Sequence, residues 1–273
     1  MTIRSNPTPL GAQAPIGVFD SGVGGLSVLR HLRAHLPHED FLYFADSGYA
    51  PYGEKPEAVI IARVEAIAAF LLERGVKALV VACNTATAAS IEALRKRYPT
   101  LALVGVEPGL KPAAALSLSR KIGVLATAAT LSSTKFKRLH HQLEADTGVT
   151  YLLQACNGLA DQIEKGELTS PATALMVQRY VAPLIAAGAD TIVLGCTHYP
   201  FVRPLIEALV PAGTQIIDTG AAVAQQMGRL LGKHQQHSGS GDLAIFTSGS
   251  VSSVERASAV LLGLTPPVEA VVA

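Results

Sequence analysis

A chain of 273 residues can bury a substantial core, as one large domain or two of ordinary size. Lys and Arg total 22 against 21 for Asp and Glu, a net charge of +1, so neither a nucleic-acid partner nor an anionic membrane is expected. No uncharged apolar run is long enough for a transmembrane helix, and three cysteines without CxxC or a zinc-type spacing fit free thiols in a reducing cytoplasm, with no metal.

Taken in order, residues 1–14 lack the apolar segment of a signal peptide and read as a disordered leader. The run IGVF predicts a short buried strand over 16–19, a turn over 20–25 and a helix over 26–36 with apolar positions at Leu26, Leu29 and Leu32. FLYFAD predicts a second strand over 41–46, and the segment after it is a loop punctuated by Gly48, Pro51 and Gly53. A helix over 56–74 carries Ile60, Val64, Ile67 and Leu71 and ends at Gly75. A strand, a helix through Leu94 and a further strand close this first pass near Glu107. The second pass opens on KIGVLAT, an echo of IGVFDS at an offset of 106 (122−16), followed by a helix over 132–144 and a strand over 149–154. Ser170 and Pro171 form an N-cap with proline in the first turn of a helix that ends near Gly188. A strand and turn over 215–220, a helix after it, a flexible loop by composition around 232–242 and a final strand and helix complete the chain.

One stretch occurs twice. Residues 75–85 read GVKALVVACNT and residues 188–198 read GADTIVLGCTH, aligning without a gap at an offset of 113 (188−75 and 196−83). Each copy is a helix-ending glycine, a buried strand and a cysteine at the strand end. Strands alternating with helices throughout imply an α/β fold with mainly parallel sheets, in two similar lobes related by a pseudo-two-fold axis. The boundaries expected are 1–107 with 221–273 for the first lobe and 108–220 for the second. Ligands of open α/β sheets bind outside the carboxyl ends of the strands, so Asp20, Cys83, Thr127 and Cys196 all sit at strand mouths, with a site in the inter-lobe cleft.

A lone cysteine at a strand end is most often a core residue, because free cysteine is among the most buried types. Two in register invert those odds and suggest two bases on opposite faces of one carbon. The start of a following helix favours thiolate and is expected to lower each thiol's pKa. Asn84, Thr85, Thr197 and His198 supply a neutral donor cradle suited to carboxylates, and Asp20 with Ser21 could hold an ammonium group. The glycines of DSGVGG do not fit a dinucleotide fingerprint and read as tight turning and close packing.

DSGVGG, PYG, CNTATA and above all GCTHYPF resemble the glutamate racemase family over about 16–220. The resemblance implies a cofactor-free, cytoplasmic enzyme of two α/β lobes that supplies D-glutamate for peptidoglycan, its partner being L- or D-glutamate. It further implies that Cys83 and Cys196 are the acid/base thiols, the first serving the D enantiomer and the second the L. Asp20, Ser21, Tyr52, Gly53, Asn84, Thr85, Thr197 and His198 match substrate-contact positions, with Asp20 and His198 assisting the thiols. Glu164 aligns as an assisting carboxylate, although CNGLADQIE departs from the family pattern by placing Asn157 where a proline is common. Cys156 reads as structural. A homodimer is compatible with the sequence, which does not fix the oligomeric state. The rivals are an aspartate or hydantoin racemase of the same fold and, from a different class, a two-lobed amino-acid-binding protein. His31 and His35 are expected on a solvated helix face, and His234 and His237 are expected to be idle.

Overall fold

The computed structural model describes residue 11, residues 13–232 and residues 239–272. Nearly all of the leader and both His234 and His237 lie outside them. The elements run β1 (Ile16–Asp20), α1 (Leu26–His35), β2 (Phe41–Ala45), a 3-10 turn (Tyr52–Glu54), α2 (Glu57–Glu73), β3 (Ala78–Val81), α3 (Asn84–Arg97) and β4 (Ala102–Gly105). The second pass is α4 (Leu110–Leu116), β5 (Lys121–Ala126), α5 (Ala128–Ser132), α6 (Thr134–Thr147), β6 (Thr150–Ala155), α7 (Leu159–Glu164), α8 (Pro171–Ala186) and β7 (Thr191–Leu194). It continues with a 3-10 turn (Tyr199–Val202), α9 (Arg203–Glu207) and β8 (Gln215–Ile217). The chain ends with α10 (Gly220–Leu231), β9 (Leu243–Thr247), α11 (Val251–Leu262) and β10 (Val268–Ala270).

Two parallel sheets result. The first has the order β10-β9-β2-β1-β3-β4 and the second β6-β5-β7-β8. Their central strands are buried from end to end, β1, β3 and β7 among them, which is why IGVFD, ALVV and TIVL are unbroken apolar runs and not alternating ones. Removing β9 and β10 leaves β2-β1-β3-β4, the same order as β6-β5-β7-β8, so the sequence repeat is also a repeat of topology. In both sheets the direction of winding reverses between the first strand of the unit and its third. β1 pairs with β3 from Ile16 against Ala78 to Phe19 against Val81, and β5 pairs with β7 from Ile122 against Thr191 to Leu125 against Leu194. At such a switch point the connecting loops diverge to opposite faces and leave a crevice at the carboxyl ends. Each cysteine therefore sits beside the crevice of its own sheet.

The punctuation of the repeat has a backbone cause. Gly75 and Gly188 take φ values of 75° and 91°, the left-handed conformation that turns the chain from α2 into β3 and from α8 into β7 at low cost. Ser170 caps α8 by accepting from the Thr173 N–H at 3.3 Å, with Pro171 in the first turn. Two hydrophobic layers sandwich the first sheet and two the second, each built from helix faces packed on strand residues.

Two local expectations need correction, the helix after Cys196 and the set of edge strands. The helix expected after each cysteine exists in full only after Cys83. Beyond Cys196, Pro200 and Pro204 break the backbone hydrogen bonding into a 3-10 turn and the five-residue α9. The His31 and His35 face of α1 is solvated at His35, while His31 is half-buried against α10, where a Cβ at Gly220 would collide with its imidazole. The short strand β10 on the edge of the first sheet has no counterpart among the expected elements. Among the described residues no helix is long and apolar enough to cross a membrane.

Candidate active site

The two carboxyl-end crevices face each other, and a cavity lies between them. Ser21, Tyr52, Gly53, Cys83, Asn84 and Thr85 from the first sheet line it, together with Thr127, Glu164, Cys196, Thr197 and His198 from the second. Both thiols thus open onto one space, each brought there by the strand end of its own repeat. The cavity also includes Thr127, the second-sheet residue at the mouth of β5.

Cys83 sits 5% exposed at the N-cap of α3, where its Sγ accepts from the Ala86 N–H at 3.5 Å. It also donates to Ser21 Oγ at 3.6 Å. The sequence argument that a helix start lowers this thiol's pKa is overturned. Burial, followed by the neighbouring Asp20 carboxylate, pushes Cys83 up to about 12 against the opposing pull of the Ala86 N–H and Ser21 hydroxyl. Desolvation is the larger effect because Cys83 is packed into the core with Phe19, Phe44, Tyr52 and Ala86, cover that a single-strand reading cannot register.

Asp20 is wholly buried and is not among the residues lining the cavity. Its carboxylate accepts from the Gly22 N–H at 2.9 Å, from Ser21 Oγ at 3.3 Å and, across the cleft, from Thr197 Oγ1 at 2.9 Å. Burial is the main cause that raises its pKa. In this arrangement it braces the Cys83 side through Ser21 and ties it to Thr197 across the cleft.

Around Cys196, 7% exposed, the chemistry differs. His198 Nδ1 lies 3.5 Å from Cys196 Sγ, and its Nε2 lies 2.6 Å from Glu164 Oε1. Burial opposes charging this imidazole. The flanking Cys196 and Glu164 more than offset that cost and hold its pKa well above the usual value. Glu164 Oε1 also accepts from the Val23 N–H of the first lobe at 2.7 Å, so one carboxylate spans the cleft. The structure therefore brings Glu164 into contact with His198, a link that sequence spacing alone could not supply.

The glycines of DSGVGG have a specific tertiary cause. A Cβ on Gly22 would run into the Glu164 carboxylate, and one on Gly24 into the His198 ring. These positions are bare because side chains from the opposite lobe fill the space. Further bonds join the lobes around the cavity: Ser27 Oγ donates to the Thr197 carbonyl at 2.7 Å, and Thr85 Oγ1 lies 3.1 Å from Thr127 Oγ1 and 3.3 Å from Thr130 Oγ1. Asn84 is buried with an Nδ2 that meets no acceptor of the protein, at a cavity wall. A buried amide donor left unpaired costs about 1–3 kcal/mol, which makes it a natural receptor for a carboxylate.

Cys156 is separate from this arrangement. It belongs to the core of the second sheet with Leu125, Leu159 and Ile163, and burial raises its thiol to about 12.

Comparison with known proteins agrees with this geometry. Residues 25–227 match the family model described as Asp/Glu/Hydantoin racemase. The chain belongs to the Asp/Glu/hydantoin racemase family. Among its relatives in this family, the glutamate racemase of Ectopseudomonas mendocina is 56% identical over 224 residues, covering 82% of this chain and 84% of that one. The crystal structure of the glutamate racemase isoform RacE1 from Bacillus anthracis superposes with a TM-score of 0.87 at 32% identity, over 96% of this chain and 98% of that one. The Escherichia coli glutamate racemase, solved in complex with L-glutamate, superposes with a TM-score of 0.82 at 31% identity, over 94% and 97% of the two chains.

Proposed function

We propose that this member of the racemase family interconverts L- and D-glutamate by proton transfer at Cα between Cys83 and Cys196, without pyridoxal phosphate. The observation that carries the reading is the shared cavity: two thiols, one from each half of an internal repeat, line one space with a buried unpaired amide at its wall. Glutamate is preferred over aspartate or a hydantoin because the relatives that match at high identity over most of their length are glutamate racemases.

The two halves of the site give the thiols different starting states. Cys83, with its pKa raised to about 12, enters as the neutral acid. The imidazolium of His198, 3.5 Å from Cys196 Sγ, is the counter-ion that a thiolate at Cys196 needs. One thiol and one thiolate are the pair that a two-base reaction requires. With L-glutamate bound, Cys196 takes the Cα proton, the S–H bond forms as the C–H bond breaks, and Cys83 delivers its own proton to the opposite face. The roles exchange for D-glutamate. Without a cofactor to delocalise the carbanion, its charge is met by fixed donors such as Asn84, Thr85 and Thr197 in a water-poor space.

The same reading divides the chain into a lobe of residues 1–107 with 221–273 and a lobe of residues 108–220, and assigns the product to peptidoglycan synthesis in the cytoplasm. The test is incubation with each enantiomer in deuterated water. Expected is deuterium at Cα of the newly formed enantiomer together with loss of optical rotation, for glutamate and not for aspartate. A protein that leaves Cα–H intact binds amino acids and does not racemise them.

A further inference from the structure

Asp46 follows β2 and is wholly buried, yet it is not among the cavity-lining residues. Its backbone N–H donates to the Asp20 carbonyl at 3.0 Å, which fixes it beside the mouth of β1. Its carboxylate gathers four donors. Oδ1 accepts from Arg63 Nη2 at 2.7 Å and from Ser248 Oγ at 2.6 Å; Oδ2 accepts from Arg63 Nε at 3.0 Å and from Tyr52 Oη at 2.5 Å. These donors come from α2, from the cavity loop and from the turn after β9. Ser248 Oγ in turn accepts from the Gly48 N–H at 3.1 Å, and the Arg63 guanidinium lies 3.8 Å from the centre of the Tyr49 ring. The loop 47–55 is thus fastened at Gly48, Tyr49 and Tyr52.

That loop carries Tyr52 and Gly53, which form one wall of the cavity, and Gly53 abuts Thr127 of the second sheet. A segment with only a single turn of 3-10 structure has little local reason to hold one shape. A buried carboxylate is costly unless every oxygen is satisfied, and here a bidentate guanidinium and two hydroxyls satisfy it while tying three elements together. Nothing in the chemistry proposed above uses this network.

We propose that Asp46 is a positioning residue that, with Arg63 and Ser248, clamps the loop 47–55 so that the Tyr52–Gly53 wall is preformed before substrate arrives. The kinetic part of the proposal rests on the racemase reading; the clamp itself does not. Asp46→Asn keeps the shape but places an amide donor among groups that are themselves donors, and Ser248→Ala removes one donor far from the thiols. Because the wall contacts parts of the substrate that do not change during inversion, KM for L- and D-glutamate is expected to rise by the same factor. The rise is about tenfold for Asp46→Asn and about threefold for Ser248→Ala, with kcat within about twofold of the parent. General loss of folded protein would instead lower kcat and leave KM alone. In parallel, hydrogen exchange of the amides in 47–55 is expected to accelerate in both variants while β2 and α2 keep their protection. An unchanged KM in an active Asp46→Asn, or unchanged exchange in 47–55, overturns the proposal. Should the parent protein not racemise glutamate at all, the functional reading fails and the exchange measurement alone decides the clamp.

Discussion

The environments of Cys83 and Cys196 share a place in the fold and little else. Both thiols end a buried strand at the switch point of a parallel sheet. Around Cys83 stand a hydroxyl, a backbone N–H and, behind the hydroxyl, a buried carboxylate. Around Cys196 stands an imidazole backed by a carboxylate. The first set favours a neutral thiol at Cys83, and the second favours a charged imidazole at His198. A repeat therefore copies position, because strand order fixes it, while the loops decide charge. Symmetric placement with asymmetric electrostatics suits the proposed two-base reaction, in which the two thiols would differ by one proton.

The largest effect should come from abolishing the comparison altogether. Cys83→Ser and Cys196→Ser are each expected to lower racemisation by about 10³-fold or more, since a hydroxyl is a far weaker acid than a thiol at a site built on proton transfer. Polarimetry with both enantiomers measures it, and substantial turnover in either variant would remove the two-thiol mechanism. A substitution on the Cys196 side alone sharpens the contrast. Gly24→Ala places a methyl group where the His198 ring lies, so kcat/KM should fall by about 10²-fold as the imidazole is displaced from Cys196 and Glu164. An unaltered pH–rate profile in this variant would show that the imidazole does not govern the reaction.

A smaller and purely thermodynamic consequence belongs to the Cys83 side. Its folded-state pKa of about 12 lies above the ordinary 9.0, as does that of Cys156. The folded protein therefore keeps protons that the unfolded chain has released. The stabilisation is complete below about pH 9 and is lost as pH rises toward about 12, by on the order of 1 kcal/mol per pH unit for each thiol. Urea unfolding at about pH 8 and about pH 10 should show this fall, reduced in Cys156→Ala once that variant's lower starting stability is subtracted. Equal stability at the two pH values would place both thiols in more hydrated surroundings.

The repeat was the legible part of the chain. Its glycines, apolar runs and cysteines are local signals, and they specify strand ends, parallel sheets and the pairing of Cys83 with Cys196. What remained hidden depends on residues far along the chain. The raised pKa of Cys83 arises from packing by Phe19, Phe44 and Tyr52, which its own strand does not provide. Gly22 and Gly24 look like turn residues until Glu164 and His198, far along the chain, are seen to fill the space above them. Glu164 was suggested by family likeness only, and its bond to His198 is a tertiary fact. Asp20 reads as a site residue because it is acidic and at a strand mouth; its bond to Thr197 of the other half is a tertiary fact. Asp46 was visible as an acid ending a buried strand, but its four donors are assembled from segments up to 202 positions apart.

The strand order also bears on how the molecule is made. The second sheet is continuous in sequence, from β5 to β8, whereas the first needs β9 and β10, which pair beside β2 after the chain has left and returned. During synthesis the half that carries Cys196 can complete its sheet while the half that carries Cys83 still exposes the free edge of β2. Ser248, the hydroxyl that secures the loop of Tyr52, follows β9 directly. Ser248 is therefore synthesised well after Cys83 and Cys196, so a nascent chain holds both thiols before the wall beside them is fastened.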